Sequence, residues 1–272
     1  MALFLTATSI TNYKKTALAC RDLPRVVGTL VHGLCIDSDV LNKGLTMKYD
    51  DVVMGRRSAR GFLEKPVPKD VIKDVIGLAM RAPSSFNTQP WNMTVVTGEP
   101  LDEIRKGNVE RNVGGVPHSR EIRVRHSYDD GDHRTRQIEV AKQLFGVMGI
   151  ERHDKDARND WILRGFRQFD APVSIVITYD RSVHGDDVAP FDCGGLANAI
   201  VNAAWSRGLG CVINSQGIMQ TPVVREHAQI DEDQVIMICI AMGYPDDSFP
   251  ANAVVTNRKP LEDAVTFVGF DD

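Results

Sequence analysis

Between Pro68 and Pro83 the chain repeats apolar residues at helical spacing: Val71, Ile72, Val75, Ile76, Ala79 and Met80. Asp70 falls in the first turn and Arg81 in the last, signs that suit the helix dipole, and Pro83 stops the pattern. The spacing therefore predicts an amphipathic helix with a loop at its exit. Met93 to Thr97 then reads as a strand ended by Gly98, and Pro100 to Lys106 as a short helix. Farther on, Ser174 to Tyr179 is rich in β-branched residues and predicts another strand. Cys193, Leu196, Ala197, Ile200, Val201 and Ala204 recur with helical period up to Gly208, which predicts a buried helix. Val212 and Ile213 start a further strand, and Thr221-Pro222 opens a short helix. Val235 to Met242 is apolar almost throughout, as expected of a central strand covered on both faces.

Two stretches lack this regularity. Residues 1–48 mix apolar and charged positions, with a helix predicted around Leu23 to Leu34 behind Pro24, and read as an N-terminal extension that wraps a partner subunit or packs on its own body. Residues 49–272 read as the main domain, entered by an apolar stripe from Tyr49 to Met54. Within it, residues 108–167 carry dense mixed charge, glycine breaks at Gly114-Gly115 and Gly131, and helical patterns near Ile138, Leu144 and Phe145 and from Trp161 to Phe169. This excursion is either a surface insertion or a lid over a substrate pocket. Small residues along the buried helix, Gly194, Gly195, Ala197, Ala199, Ala203 and Ala204, suit a tight core or a dimer seam, with core packing the default.

Composition narrows the class of protein. The chain has 272 residues, 43% hydrophobic and 25% charged, enough to enclose a core without covalent staples. A formal charge of −4 leaves no basic footprint for nucleic acid, so any anionic ligand must be held by local arginines. Cys20, Cys35, Cys193, Cys211 and Cys239 contain no C-x-x-C pair and read as reduced thiols, with Cys211 and Cys239 in apolar segments. Met1 to Tyr13 has no basic start, and no apolar run is long enough to span a bilayer, so a cytoplasmic protein without membrane contact is expected. His126 and His133 read as surface histidines, since no third ligand falls at metal-like spacing.

The chemistry concentrates on either side of the first helix. Arg56-Arg57-Ser58-Ala59-Arg60-Gly61-Phe62 places three guanidiniums and a hydroxyl together, rigid forked donors that match a phosphate and a planar anionic group beside it. Ala82-Pro83-Ser84-Ser85-Phe86-Asn87-Thr88-Gln89-Pro90-Trp91 supplies hydroxyls, amides and backbone N–H groups at the helix exit. A ligand with a phosphate at one end and a flat hydrogen-bonding ring at the other would use both. No P-loop, H-E-x-x-H or G-x-S-x-G motif is present, and Gly208-Leu209-Gly210 follows a helix where a dinucleotide fingerprint follows a strand.

In order and spacing, R-R-S-x-R-x-F followed by A-P-S-S-x-N-x-Q-P-W resembles the opening of the FMN-dependent nitroreductase family. The likeness resumes at Arg207-Gly208-Leu209-Gly210-Cys211, continues through Val235 to Gly243 and ends at Arg258-Lys259-Pro260. The resemblance implies an α+β fold, a three-layer α-β-α sandwich with a central mixed, largely antiparallel sheet, assembled as a homodimer with two FMN sites at the interface. It implies that Arg56, Ser58 and Arg258 hold the FMN phosphate and ribityl end, with Arg57 beside them and Arg60 at the pyrimidine edge of the ring. Some relatives have a lysine where Thr256 stands. Pro83, Ser84, Ser85 and Asn87 match the loop that reaches across the interface to the partner's flavin. Gln216 and Gly217 match the place where backbone N–H groups meet the reactive edge of the ring. Phe86 lies where a variable side chain faces the substrate, as a stacking wall or else as a buried structural residue, while Pro90 and Trp91 read as core.

The implied activity is a ping-pong oxidoreduction in which NADH or NADPH reduces FMN and a nitroaromatic acceptor then takes electrons two at a time, giving nitroso and then hydroxylamine products. No catalytic side chain is assigned, because the flavin carries the hard step. Relatives on the same scaffold reduce enones, remove halogen from aromatics or break down flavin, and a flavin-binding protein without turnover is a further reading.

Overall fold

The structure, a computed structural model, describes residues 30–31, 34–35, 47–123 and 127–270. The chain divides into two units, Met1–Met47 and Lys48–Asp272. In the first, strands β1 (Leu30–Val31) and β2 (Leu34–Cys35) pair antiparallel, Leu30 opposite Cys35 and Val31 opposite Leu34. This corrects the helix expected over Leu23 to Leu34 at its C-terminal end. Gly33 stands between the two apolar pairs in the sequence, and glycine weakens a helix interior while favouring a turn. The rest of that expected helix, together with Cys20 and His126, lies outside the described residues.

The second unit is built on β3 (Trp91–Val96), β4 (Val173–Asp180), β5 (Gly210–Asn214) and β6 (Gln234–Gly243). They lie in the order β3-β4-β6-β5, and every neighbouring pair is antiparallel. Among the described residues, the parallel component is the bridge from Ser58 to Cys211, on the β5 side. Central strands must be apolar on both faces, and β4 is buried from Val173 through Tyr179, whereas edge strand β3 exposes Asn92 and Val95. A register shift at Ile177/Thr178 marks a bulge between β4 and β6.

Helices cover both faces, giving the three-layer sandwich. On one side α2 (Lys69–Ala79) and α6 (Val188–Trp205) pack Val75, Ala79, Leu196 and Ile200 against Ile175, Ile177, Ile240 and Met242. On the other, α3 (Gly98–Val113) and α7 (Thr221–Ala228) pack Leu101, Ile104, Val224 and Ala228 against Val176, Ile236 and Cys239. Odd and even positions of β4 thus feed different cores, as strand alternation requires. Cys193, Cys211 and Cys239 are unpaired and buried, and burial pushes the thiols of Cys193 and Cys239 up to about 12.

Helix α3 runs past the expected Lys106 because Asn108 turns inward. Its side chain is fully buried, and Nδ2 donates to the Gly217 carbonyl at 2.9 Å. A polar residue used this way breaks the apolar period without breaking the helix. The charged excursion forms α4 (Gly131–Val147), which buries only Leu144, and α5 (Lys155–Phe166), whose end enters the interior at Phe166. The expected core packing of α6 holds for Ala197, Ala203 and Ala204 but not for Gly194 and Gly195, which are exposed beside Phe191 and Asn198.

Glu121 ties the loop after α3 to the sheet. Its carboxylate accepts from Arg181 Nη2 at 2.6 Å, Arg225 Nη2 at 3.0 Å and the Ile236 N–H at 2.7 Å. Burial alone disfavours the charged form, but the Arg181 hydrogen bond, the Ile236 amide and the Arg225 charge together hold the carboxyl below its ordinary value. Arg181 is 40% exposed and Arg225 12%, so water screens the Arg181 contact more. Glu121→Gln is expected to cost about 2 kcal/mol at neutral pH. With a lowered folded value, this stability is complete above the ordinary glutamate value of 4.5 and fades as pH falls through the folded value. Urea unfolding of both proteins at pH 7 and pH 3 should show the gap narrowing in acid.

Candidate functional site

Helix α1 (Tyr49–Gly55) delivers the arginine segment, and Arg56 caps its end by donating its N–H to the Val52 carbonyl at 2.9 Å. The chain then runs extended along β5, where the Ala59 N–H donates to the Cys211 carbonyl at 3.0 Å. Beyond it, Phe62 bridges Pro245 and the Leu63 N–H donates to the Tyr244 carbonyl at 2.9 Å. Extended backbone alternates its side chains, so buried Ala59 faces the interior and Arg56, Ser58 and Arg60 face the other way. The approach to β5 is close enough to demand glycine at position 210. A Cβ there would stand 2.6 Å from Ala59 Cβ and 3.2 Å from Pro245 Cβ.

Arg56, Arg57, Ser58, Arg60 and Arg258 line one cavity of about 470 Å³, which Tyr49 and Met54 of α1 and Asn198 and Asn202 of α6 complete. Arg258 arrives from the far end of the chain, with Nη1 donating to Thr256 Oγ1 at 2.8 Å and to the Thr256 carbonyl at 3.1 Å. Among the described residues, no carboxylate pairs with any of these four guanidiniums. Burial lowers the Arg60 pKa from its ordinary value, although a guanidinium keeps its proton in proteins. Cations gathered with no carboxylate of the described residues paired to them fit a multiply charged anion such as a phosphate ester.

Two residues absent from the sequence reading hold this arrangement. Asn252, in the turn Pro250–Ala253, accepts at Oδ1 from the N–H groups of Arg60 and Gly61. Arg164 of α5 donates from Nη2 to the Arg60 carbonyl at 3.3 Å, lies 4.7 Å above the Phe249 ring and pairs with Asp170 at 3.5 Å. Nothing local in the sequence marks either one, since their partners lie 192 and 104 residues away.

The helix-exit loop sits elsewhere. Ser85 and Phe86 line a separate cavity of about 610 Å³ with Asp180 and Asp192. Ser84 lies at the turn, its carbonyl accepting from the Asn87 N–H at 3.0 Å, and Pro83 is exposed just before it. Buried Asp192 accepts from the Ser85 N–H at 3.0 Å and pins the loop to α6. Phe86 and Asn87 adopt φ of 50° and 60°, left-handed backbone that non-glycine residues hold at a cost. Phe86 is fully exposed, which sets aside its reading as a buried structural residue. Trp91 is buried as expected, whereas Pro90 is only half-buried and lines this second cavity.

Gln216 and Gly217 line neither cavity. Their N–H groups both donate to Asn214 Oδ1, at 2.8 and 3.3 Å, and Gly217 is packed against Cys239 and Gln168. Buried Asn214 thus gives the amides expected to face a ligand ring an acceptor within the chain, two and three residues upstream. His133 is exposed and stacks on Tyr128.

Residues 53–244 match the model of the nitroreductase family. The chain is 34% identical over 224 residues to the chloronitrobenzene nitroreductase of Comamonas testosteroni, covering 80% of this chain and 96% of that protein. It is 35% identical over 223 residues to the nitrobenzene nitroreductase of Ectopseudomonas oleovorans, with the same coverage of 80% and 96%. Among solved structures, the FMN- and NADPH-dependent nitroreductase NfnB of Sphigopyxis sp. strain HMH superposes with a TM-score of 0.75 at 28% identity, covering 82% of this chain and 100% of that one.

The Gly210 contact predicts a structural test of the site. Gly210→Ala is expected to destabilise the protein by about 1–3 kcal/mol, the usual penalty for overpacking a tight contact. It should also speed hydrogen exchange at the Ala59 amide by prising the arginine segment from β5. Urea unfolding and exchange mass spectrometry check both effects.

Proposed function

The chain belongs to the nitroreductase family, and we propose that it uses NADH or NADPH to reduce nitroaromatic compounds with FMN as its cofactor. Bound FMN supplies a two-electron carrier between the nicotinamide donor and the nitro group, with nitroso and then hydroxylamine products. The observation that carries this reading is the gathering of four guanidiniums in one cavity with no described carboxylate among them. Arg56, Arg57 and Arg258 bring forked donors, and Ser58 a hydroxyl, to hold a phosphate. Arg60, half-buried, keeps a permanent cation where charge interactions are stronger than in water and so favours negative charge on the group beside it.

The loop Pro83, Ser84, Ser85 and Asn87 completes the site in a homodimer, entering the arginine cavity of a second copy. Its separation from that cavity within one chain supports this, as does the exposed side of α6 at Phe191, Gly194 and Gly195. Phe86 then offers an aromatic wall to the acceptor. Residues 49–272 form the FMN-binding domain, with 1–48 as an extension. The Arg164 contact to Arg60 supports a role for the 108–167 excursion in shaping the pocket. The unpaired thiols of Cys193, Cys211 and Cys239 suit the reducing cytoplasm.

Purified protein is expected to be yellow, to release FMN on denaturation, and to oxidise NADH or NADPH in step with loss of nitrobenzene. Arg56→Ala and Arg60→Ala should each weaken FMN binding by about tenfold or more, the loss of one or two charge-assisted hydrogen bonds, with the circular dichroism spectrum retained. A colourless protein that takes up no added FMN would overturn the assignment.

A further inference from the structure

Asn252 joins the two arms of the arginine cavity, and its amide is used to capacity. Oδ1 accepts from the N–H groups of Arg60 at 2.7 Å and Gly61 at 3.2 Å. Nδ2 donates to the carbonyls of Gly61 at 2.8 Å and Asp246 at 2.9 Å. An asparagine side chain offers two donors and one oxygen with two lone pairs, so every hydrogen-bonding position is filled. The residue is buried, and without its Oδ1 the enclosed Gly61 N–H would lose its partner, whereas the Gly61 carbonyl would keep the Asp246 N–H at 3.1 Å.

The location of these bonds gives them their meaning. The arginine segment pairs with β5 at Ala59 and meets the chain beyond β6 again from Gly61 to Leu63, leaving Arg60 between the two contacts. At Arg60 side chains take over: Asn252 holds its N–H and Arg164 its carbonyl. The same asparagine belongs to the turn Pro250–Ala253, from which the chain continues through Val254 and Thr256 to Arg258. One side chain therefore fixes both the peptide that bears the Arg60 guanidinium and the root of the segment that brings in the distant one.

We infer that Asn252 is a positioning residue for the cavity, setting Arg60 and Arg258 in mutual register and so governing how tightly a phosphorylated flavin is held. This rests on the FMN assignment above. Aspartate cannot substitute fully, because it lacks the two donors and brings negative charge against the carbonyls of Gly61 and Asp246.

The test is FMN binding to flavin-stripped protein, followed by fluorescence quenching, for Asn252→Ala alone and combined with Arg60→Ala or Arg258→Ala. Asn252→Ala is expected to raise the dissociation constant by about tenfold in the otherwise unmodified protein, but by less than about threefold where either arginine is already gone. Equal weakening in every background would make Asn252 a general stabiliser and overturn the inference, as would unchanged affinity. Unmodified protein that binds no FMN would sink the flavin assignment and this inference together, whereas indifference of the variants sinks this inference alone. If Asn252→Ala does not fold, Asn252→Asp carries the same comparison with a smaller effect. Amide exchange at Arg60 and Gly61 of the unmodified protein is expected to be slow, and fast exchange would overturn the clamp whether or not a variant folds.

Discussion

The arginine cavity depends on backbone pairing between residues 58–63 and the neighbouring edge of the sheet, at Cys211 and at Tyr244–Pro245. Two like charges about 8 Å apart repel by about 0.5 kcal/mol in bulk water and about 2 kcal/mol at an effective dielectric of 20. Side chains alone would therefore spread apart. Main-chain bonds to a buried sheet oppose that spreading, and they act only where the two backbones come very close. The glycine at 210, the alanine at 59 and the amide of Asn252 are each set by this closeness.

The sheet and its helices supply rigidity in proportion to burial. Strands β4 and β6 are covered on both faces, so they offer a fixed rail to which β5, and through it the arginine segment, is registered. The helix-exit loop is held differently. A single buried carboxylate, Asp192, grips the Ser85 amide while Phe86 and Asn87 occupy left-handed backbone at the surface. One part of the proposed site is thus anchored by sheet pairing and the other by a side chain on α6.

What could be read from the residues alone follows from how local each signal is. The stripe on α2, the β-branched run of β4 and the apolar run of β6 are short-range patterns, and the elements appear where those patterns stand. The arginine cluster was legible for the same reason. Asn108 concealed the true length of α3, since a buried polar residue with its own hydrogen bonds looks like a solvent-facing one in a hydropathy pattern. On α6 the small residues looked alike, yet the alanines went inward and Gly194 and Gly195 outward, a matter of helical phase against the sheet. Asn252 and Arg164 could not be found at all, because their significance lies in partners across the fold. The amides of Gln216 and Gly217 both donate to Asn214, two and three residues earlier, a pairing that no hydropathy pattern marks.

The 192-residue span between Asn252 and Arg60 also orders events during synthesis. An emerging polypeptide can form α1 and extend residues 56–62 early, but Asn252 is translated 192 residues after Arg60. Until residues 252–258 leave the ribosome, the cationic loop has no clamp and no Arg258 opposite it. Assembly of the whole cavity therefore waits for residues 252–258, and a nascent chain stalled before Asn252 carries the charges without the grip.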